Sequence, residues 1–564
     1  MTFSDYPYQR PNMTEFTETF TQAIEAFKSA SNADAQEKAM DTIHQLRFDF
    51  DTMENLASIR HSIDTKDEFY DKEKDFFDEN GPRFAQLNHR YYQALVEATF
   101  KDELVKRKGK LLFEIAAQAL RTFNDEILED LTRENKLVSR YDKLIASAEI
   151  DFEGETRNLT EMSPFMQNPD RDIRRRASRA VSSWFAGQEK TIDDIYDELV
   201  SVRTEIARKL GYKNFTGLAY DRLGRLDYGP KEVATYRRQV RDNLVPLANE
   251  LVKRQGKRLG IDEMMSYDLP FEFKTGNPKP QGDKDWMVDR AKAMYQAMSP
   301  ETDEFFTTML ERGLMDLEVK KGKMGGGYCT YIPNHESPFI FANFNGTKHD
   351  VDVLTHEAGH AFQVYRSRHH DVPEYIWATM EASEIHSMSM EFFAWPWIDQ
   401  FFGEDTTKYK FSHLDGALSF IPYGVAVDEF QHRIYEKPSM TKEERKLTWR
   451  EIEKTYLPYK KYDNDEFMER GGFWFRQSHI FAVPFYYIDY TLAQVCAFEY
   501  WIQASANREA AWESYLRLCD AGGSKSFVGL LELAGLKNPF EQGTIATMVE
   551  PLKSFLDGID DTKL

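Results

Sequence analysis

Two histidines four positions apart, with a glutamate directly after the first, form the segment of this chain best suited to chemistry. Residues 355–362 read THEAGHAF, so the histidines are His356 and His360 and the glutamate is Glu357. On a helix, positions four apart share one face, so both imidazoles can bind one metal ion while the carboxylate lies over the open coordination position. Zinc lowers the pKa of its water to about 7, and a nearby carboxylate can take that proton as the water attacks a carbonyl. The pattern predicts a catalytic zinc site with Glu357 as general base.

The rest of the zinc site has to be found outside this pattern. By chance the pattern is expected about 0.05 times in a chain of this composition, so neighbouring residues must decide whether it marks a zinc site. A catalytic zinc usually needs a third protein ligand. The metzincin extension requires glycine and histidine where this chain has Gln363 and Arg366, which excludes that class. In the thermolysin-adjacent aminopeptidases the third ligand follows the second histidine at a fixed spacing. In this chain that spacing leads to Thr379, which is a poor zinc ligand.

Three acids in the helical-looking segment that follows are candidates for the third ligand. Glu384 and Glu391 are two helical turns apart and therefore share one face. One of them can bind the metal while the other orients a histidine ring. Spacing alone leaves Glu381, Glu384 and Glu391 open.

A histidine and two tyrosines further along the chain could serve a reaction intermediate. His479, Tyr486 and Tyr490 fall within about 20° of one line if they share a helix, and such donors suit a tetrahedral oxyanion. Tyr487 is about 80° away on the same helix and is not expected to join them. The alternative is that the tyrosines only satisfy hydrogen bonds in a core, and Pro484 could bend the helix.

The elements that position these residues are mostly helices. Apolar residues recur at three and four positions through the first half of the chain, and helix starts are predicted at Ser299-Pro300 and at Thr441 with Glu444. Strands are predicted over Tyr328–Ile332 and Phe339–Phe344, just before the histidine motif. The sequence therefore predicts a mainly α fold with a small sheet near this motif.

Two other segments have distinct compositions. The prolines and glycines of residues 274–285 predict a loop. Residues 480–498 are nearly all apolar or aromatic, but Pro484, Asp489 and Gln494 favour a buried helix over a membrane span.

Composition excludes several classes of protein. Lys and Arg number 72 against 94 Asp and Glu, a net charge of −22, which argues against a nucleic-acid partner. The three cysteines are widely spaced, which argues against a disulfide framework and a thiolate zinc cluster. No signal peptide is visible at the start of the sequence, so we expect a cytoplasmic protein without a membrane partner.

Five segments together resemble the thimet oligopeptidase and oligoendopeptidase F family of zinc peptidases, and within it the bacterial oligoendopeptidase F or Pz-peptidase branch. They read GGGYCTYIP, FIFANFNGT, THEAGHAF, SEIHSMSMEFFAWP and SHIFAVPFYYIDY in chain order. The resemblance covers residues 328–500 strongly and most of the chain more weakly. This order of segments is far more specific than the histidine motif alone.

The resemblance implies roles for individual residues. It implies that His356, His360 and Glu384 bind one Zn²⁺ per chain, that Glu357 is general base and acid, and that Glu391 supports a ligand histidine. It implies that His479, Tyr486 and Tyr490 bind substrate and stabilise the oxyanion. It also implies that a strand and a flexible glycine segment bind the substrate. The strand residues are Phe339, Ile340, Phe341, Ala342 and Asn343, and the glycines are Gly326 and Gly327.

The family's architecture and activity complete the expectation. The resemblance implies a helical ellipsoid of two lobes enclosing a deep channel, and we assign residues 1–190 to an N-terminal helical domain forming one channel wall and residues 191–564 to the catalytic domain. The expected activity is zinc-dependent cleavage of internal bonds in short oligopeptides. The alternatives are an exopeptidase with the same chemistry, either a carboxypeptidase or a peptidyl-dipeptidase, and a non-catalytic peptide-binding protein. Oligomeric state stays open.

Overall fold

The computed structural model describes residues 1–320 and 322–564, and helices dominate it. In the first half the helices are α1 (Met13–Lys28), α2 (Ala33–Ile63), α3 (Glu68–Val96), α4 (Lys101–Lys108), α5 (Leu111–Arg121), α6 (Leu128–Ala146), α7 (Ser163–Met166), α8 (Arg171–Gly187), α9 (Glu189–Lys209), α10 (Phe215–Arg222) and α11 (Pro230–Leu259). The helices that follow are α12 (Lys284–Met298), α13 (Pro300–Glu311), α14 (Lys348–Ser367), α15 (Met380–Phe393), α16 (Asp399–Phe402), α17 (Thr406–Glu436), α18 (Lys442–Tyr456), α19 (Glu466–Glu469), α20 (Ser478–Ala482), α21 (Tyr487–Ala506), α22 (Arg508–Ala521), α23 (Phe527–Ala534) and α24 (Ala546–Asp557).

Five short strands form two small sheets. The strands are β1 (Ile150–Phe152), β2 (Glu155–Arg157), β3 (Met315–Glu318), β4 (Tyr328–Ile332) and β5 (Ser337–Phe344). β1 and β2 form an antiparallel hairpin, whereas β5 pairs in parallel with β3 and antiparallel with β4. The sheet containing β5 packs against α14, which carries the histidine motif. The predicted mainly α fold with a small sheet beside this helix is confirmed.

The chain forms two compact units, and each is built from three separate segments. Unit 1 contains Met1–Arg121, Lys279–Thr406 and Cys496–Lys537, and unit 2 contains Thr122–Pro278, Thr407–Val495 and Asn538–Leu564. The chain passes from unit 2 to unit 1 within the predicted loop over residues 274–285, and α12 begins near the end of this loop. The predicted division at residue 190 and the expected channel stay predictions.

Unit 1 has an apolar core among α1, α2, α3 and α5. α1 shows why these segments are helical: the Asn12 side chain accepts hydrogen bonds from the first-turn amides, and Phe20, Ile24 and Phe27 return at three- and four-residue spacing to be buried. Unit 1 also contains α14, the helix that carries the histidine motif, and this helix packs against α15, α22, β4 and β5. The site is therefore built on helices held from several sides.

Unit 2 is helical apart from the β1–β2 hairpin. α6 packs along α9, α8 contacts the hairpin, and α11 packs against α24. A smaller apolar cluster joins Val252 and Leu259 of α11 to Met264 and Phe271 in the loop that follows. This loop borders a cavity described below.

Local sequence signals locate several element ends correctly. α13 begins at Pro300 behind a Ser299 cap whose side chain accepts a hydrogen bond from the Thr302 amide at 3.2 Å. α18 begins after Thr441, whose side chain accepts from the Glu444 amide at 3.1 Å while Glu444 accepts from the Thr441 amide at 2.8 Å. β4 has its predicted bounds, and β5 begins two residues before the predicted start.

The prediction of one helix through residues 480–498 is wrong. α20 ends at Ala482 and α21 begins at Tyr487. The break lies at Pro484, which has no amide hydrogen to donate, and at Phe485, which adopts a φ of +69°. Among residues 1–320 and 322–564, no helix combines the length and apolar character needed to cross a membrane.

Candidate active site

The close approach of α14 and α15 brings the two halves of the candidate site together. Gly359 lies where the helices meet, and a Cβ at this position would be 2.6 Å from Ser387 Cα and 2.7 Å from the His386 carbonyl oxygen. Only glycine therefore allows this approach. The contact places the α14 histidines opposite the acidic face of α15.

Three side chains from these helices form a group able to hold a metal ion. Ligand atoms of His356, His360 and Glu384 all lie within 4.8 Å of one another. Glu384 Oε2 is 3.4 Å from His356 Nε2 and 3.6 Å from His360 Nε2. Of the acids that spacing left open, Glu384 is the one that completes this group among the described residues. Two nitrogens and one carboxylate oxygen are a donor set that suits zinc.

Glu391 holds one of the histidines from behind. Its Oε1 lies 2.7 Å from His356 Nδ1, on the opposite side of the ring from the nitrogen that faces Glu384. Burial lowers the pKa of His356, but its hydrogen bonds with Glu384 and Glu391 outweigh that effect and hold the pKa well above its usual range. An imidazole placed between two carboxylates is suited to hold a cation at Nε2.

His360 lies in a less acidic position than His356. Burial lowers the pKa of His360 to about 4, although Glu384 acts in the opposite direction. His360 is therefore neutral at pH 7, which is the form that binds metals.

Glu357 has the properties of a general base. Its side chain is buried, and burial raises the pKa of its carboxyl to about 7. Its Oε2 is buried and has no hydrogen-bond partner among the described residues. Gly327 lies close by, since a Cβ there would be 3.8 Å from Glu357 Oε1 and 3.3 Å from the Phe341 carbonyl oxygen. A carboxyl that titrates near neutrality can both accept and donate a proton.

The predicted substrate strand lies in the middle of its sheet. β5 lies between β3 and β4, with β4 paired to residues 337–341 and β3 paired within residues 340–344, so each of its edges is partly engaged in the sheet. Its side chains at Phe339, Ile340, Phe341 and Ala342 are buried as well. Strand addition requires a free edge, which favours an outer strand of this sheet over β5, and substrate binding along β5 stays a prediction.

The glycine segment before β4 is tied to β5 by one side chain. Asn343 Nδ2 donates hydrogen bonds to the carbonyl oxygens of Met324 at 2.9 Å and Gly326 at 2.8 Å. Asn343 therefore fixes the backbone just before Gly327, the glycine that lies close to Glu357.

The histidine and tyrosines of unit 2 form a cluster despite the helix break. The His479 ring centroid lies 6.0 Å from that of Tyr486 and 5.8 Å from that of Tyr490, and the two tyrosine centroids are 4.9 Å apart. Tyr487, which was not expected to join, has its centroid 4.9 Å from that of His479. The predicted grouping is therefore present. It results from the turn between α20 and α21 and not from one face of a single helix.

Sequence reasoning missed the residue that orients His479. Gln477 Nε2 lies 2.8 Å from His479 Nδ1, and Gln477 Oε1 accepts a hydrogen bond from the Tyr423 hydroxyl at 2.6 Å. This pairing makes the amide the donor to Nδ1, so the neutral ring carries its proton on Nε2. No sequence pattern indicates that Gln477 orients His479, because this role depends on Tyr423 of α17.

A buried ion pair holds the turn that carries Tyr486. Arg225 Nη2 donates to the Phe485 carbonyl oxygen and to Asp489 Oδ1, both at 2.6 Å. The Phe485 amide donates to Gln431 Oε1 at 2.8 Å. These bonds hold Phe485 in its left-handed conformation, which costs free energy for a bulky residue.

Comparison with known proteins assigns the chain to a family. Residues 3–123 match the peptidase M3 N-terminal domain, and residues 164–280 and 294–550 match peptidase family M3. Pz peptidase A, in a structure with an inhibitor, has a TM-score of 0.95 and 54% identity, covering 99% of this chain and 100% of that chain. A protein called oligoendopeptidase F from Bacillus anthracis strain Ames has a TM-score of 0.91 and 52% identity, covering 100% and 99%.

A more distant relative shows the same assignment. Oligopeptidase PepF of Bacillus subtilis strain 168 is 24% identical over 448 residues, covering 77% of this chain and 64% of that protein. The chain spans between 61% and 66% of the length of the curated relatives it matches. The family match covers more than half of the chain and agrees with the resemblance in its sequence, so this chain belongs to peptidase family M3.

Proposed function

We propose that this chain is a zinc-dependent oligoendopeptidase that hydrolyses internal bonds of short peptides. The observation that carries the proposal is the group His356, His360 and Glu384, whose ligand atoms lie within 4.8 Å, next to a buried Glu357 carboxyl. The names of relatives, which include oligoendopeptidase F and oligopeptidase PepF, support the same activity for this chain. The proposed cofactor is one Zn²⁺ per chain.

The chain's residues divide the work of hydrolysis. His356, His360 and Glu384 would hold zinc, and Glu391 would keep the His356 ring in place through Nδ1. Zinc, when bound, supplies an acidified water and polarises the substrate carbonyl. Glu357 would take a proton on its carboxylate as the water attacks and return it to the leaving amine. Its pKa of about 7 suits both directions of transfer.

The His479 cluster is proposed to stabilise the negative oxygen that forms on the substrate. Since Gln477 donates to His479 Nδ1, the neutral His479 ring carries its proton on Nε2, the nitrogen proposed to donate to the substrate oxygen. Tyr486 and Tyr490 provide hydroxyl donors in the same cluster. Donors fixed before the reaction are effective because they need no reorganisation in the transition state.

The proposed peptide-binding edge is the outer strand β4. β4 is an outer strand of its three-stranded sheet, and Gly327 next to it lies near Glu357. A peptide added along an outer strand is held mainly by its backbone, which allows many side-chain sequences. Gly326 and Gly327, held by Asn343, would keep this approach open.

We also infer a cytoplasmic location. Cys329, Cys496 and Cys519 are all free thiols, and two of them are buried. Free thiols in a chain of this size are typical of reducing compartments.

The test is mass spectrometry of products from a short peptide blocked at both ends. Internal fragments that disappear with a metal chelator and return when zinc is added are expected. Cleavage only after the C-terminus is freed would favour an exopeptidase. A zinc-loaded protein that cuts neither peptide would favour a non-catalytic binding protein.

A further inference from the structure

Unit 2 contains a cavity of about 270 Å³ that shares no residue with the metal group or the His479 cluster. Its lining comes from α8, from the loop over residues 266–270 and from the segment over residues 460–476. The volume is just below the usual range for small-molecule sites, which is about 300–1,000 Å³. A ligand the size of one blocked amino acid therefore suits this space better than a peptide.

The cavity is positively charged although the chain is strongly acidic. Arg179, Lys460 and Arg476 line it, whereas Asp465 is the acid among its lining residues. The Asp465 carboxylate already accepts a hydrogen bond from the Met468 amide at 3.2 Å, as the cap of α19. Arg179 is 3.7 Å from Asp463 Oδ2 and donates to the Asp463 carbonyl oxygen, so Lys460 and Arg476 are the cations that favour an anionic ligand in this cavity.

Arg476 is the cation that most needs a partner. Its guanidinium carbon lies 4.4 Å from the Phe473 ring centroid and 5.6 Å from that of Phe185. Within residues 1–320 and 322–564, this guanidinium contacts these two rings and makes no hydrogen bond or ion pair with another side chain. A guanidinium presents a planar fork that matches a carboxylate.

Lys460 is only partly neutralised. Its Nζ lies 3.1 Å from the Phe473 ring centroid and 3.4 Å from Glu453 Oε1. Arg450 shares this Glu453, at 3.1 Å. Burial lowers the pKa of Lys460 to about 8, so the ammonium is still mostly charged at pH 7. Two cations thus share Glu453, and Arg450 also pairs with Glu469 at 2.8 Å, whereas Arg476 has no carboxylate of its own.

The remaining lining is apolar and aromatic. Phe473, Tyr267 and Leu269 contribute ring and aliphatic surface, and Met468 contributes a flexible thioether. Two cations already contact the Phe473 ring, so its position is fixed relative to the charged end of the cavity. A ligand that fills the space must therefore carry both a negative charge and an apolar group.

We propose that this cavity binds a small organic carboxylate that carries an aromatic or branched apolar group. The carboxylate pairs with the Arg476 guanidinium, and Lys460 adds longer-range attraction. The apolar group packs against Phe473 and Met468. An N-acylated aromatic amino acid is a ligand of this class.

The test is calorimetric titration of the zinc-loaded full chain with N-acetyl-L-phenylalanine. The neutral N-acetyl-L-phenylalanine amide is expected to bind at least tenfold more weakly, because it leaves Arg476 without an anion. Inorganic phosphate is also expected to bind at least tenfold more weakly, because it leaves the apolar part of the cavity empty. Equal affinity for the acid and its amide would overturn the proposal, as would absence of binding at millimolar concentration.

Two variants locate the binding. Arg476→Met keeps the apolar stem but removes the charge, and Ser178→Phe fills the cavity from α8 while Arg476 remains. Each is expected to weaken binding at least tenfold. The matched control is Arg470→Met, since exposed Arg470 belongs to the same segment but pairs with Glu189 at 2.9 Å. Its affinity should equal that of the unchanged chain.

The metal group is the other place where a carboxylate could bind. Titration is therefore repeated after zinc has been removed with a chelator. Binding that survives removal of zinc and is lost in both cavity variants is the expected result. Binding that is lost with zinc and unchanged in Arg476→Met and Ser178→Phe would place the probe at the metal group and overturn the proposal.

Discussion

Several buried carboxylates of unit 2 lie against guanidinium groups, whereas Glu384 and Glu391 of α15 in unit 1 lie against imidazoles. Arg225 and Asp489 are both fully buried and meet at 2.6 Å. Glu384 instead lies 3.4 Å from His356 Nε2, and Glu391 lies 2.7 Å from His356 Nδ1.

The difference separates groups that hold the fold from groups that hold a ligand. A guanidinium is always charged, so a pair such as Arg225–Asp489 is balanced without any further ion. An imidazole is charged only when protonated, and it can exchange that proton for a metal. Burial alone does not distinguish the two sets of acids, but the type of partner does.

Replacing Glu384 by Gln is expected to have the largest effect on metal binding. The change removes a ligand charge, so we expect metal affinity to fall by more than about 100-fold, beyond the loss typical of groups that only support a ligand. Activity on a blocked peptide falls with it. The measurements are metal content after dialysis and kcat/KM. Full metal content with full activity would contradict the proposed ligand set.

Replacing Asp489 by Asn is expected to have the largest effect on stability. It leaves the buried Arg225 charge without its partner, which typically costs about 3–5 kcal/mol. Urea denaturation measures the loss, and Asp242→Asn in the exposed Arg241–Asp242 pair is the control, with a change of about 1 kcal/mol or less. Equal losses in the two variants would remove the distinction between the two sets of acids.

Replacing Glu391 by Gln is expected to have an intermediate effect. The variant keeps the three ligands but weakens the hold on His356 Nδ1, so metal affinity falls by about 10–100-fold. Competition with a metal-binding dye measures the affinity. No change would show that Glu391 does not support His356.

The buried His432 of unit 2 predicts a smaller, pH-dependent effect. Burial lowers its pKa to about 4, so between about pH 6.5 and pH 4 the unfolded chain binds a proton that the folded chain does not. Stability therefore falls as pH falls through this window, by about 1.5 kcal/mol between pH 6.5 and pH 5. We expect His432→Gln to remove this part of the slope in urea denaturation. The same change at exposed His369 should leave the slope intact, and equal slopes in both variants would contradict the assignment.

Local patterns in the sequence predicted the parts of the molecule that local physics determines. The bounds of β4 follow from its β-branched and aromatic residues, and the starts of α13 and α18 follow from capping side chains. The spacing of His356 and His360 placed them on one face of α14, which they share. These features depend on neighbours within a few residues.

Features that depend on distant contacts could not be predicted in this way. The central position of β5 is set by β3, whose four residues gave no strong signal. The role of Gln477 needs Tyr423 from another helix, and the need for Gly359 appears only when α15 packs against α14. Spacing left three candidate acids, and the same helix contact singles out Glu384.

In the proposed mechanism Glu357 moves the proton while the neighbouring histidines hold the metal. Its most direct test is to measure zinc content and kcat together for Glu357→Gln, with exposed Glu25→Gln on α1 as the matched control. The account predicts one zinc per chain in both variants, with kcat lowered by about 10³-fold only in Glu357→Gln, because general-base catalysis typically contributes 10²–10⁴-fold. Zinc retained with kcat unchanged in Glu357→Gln would contradict it.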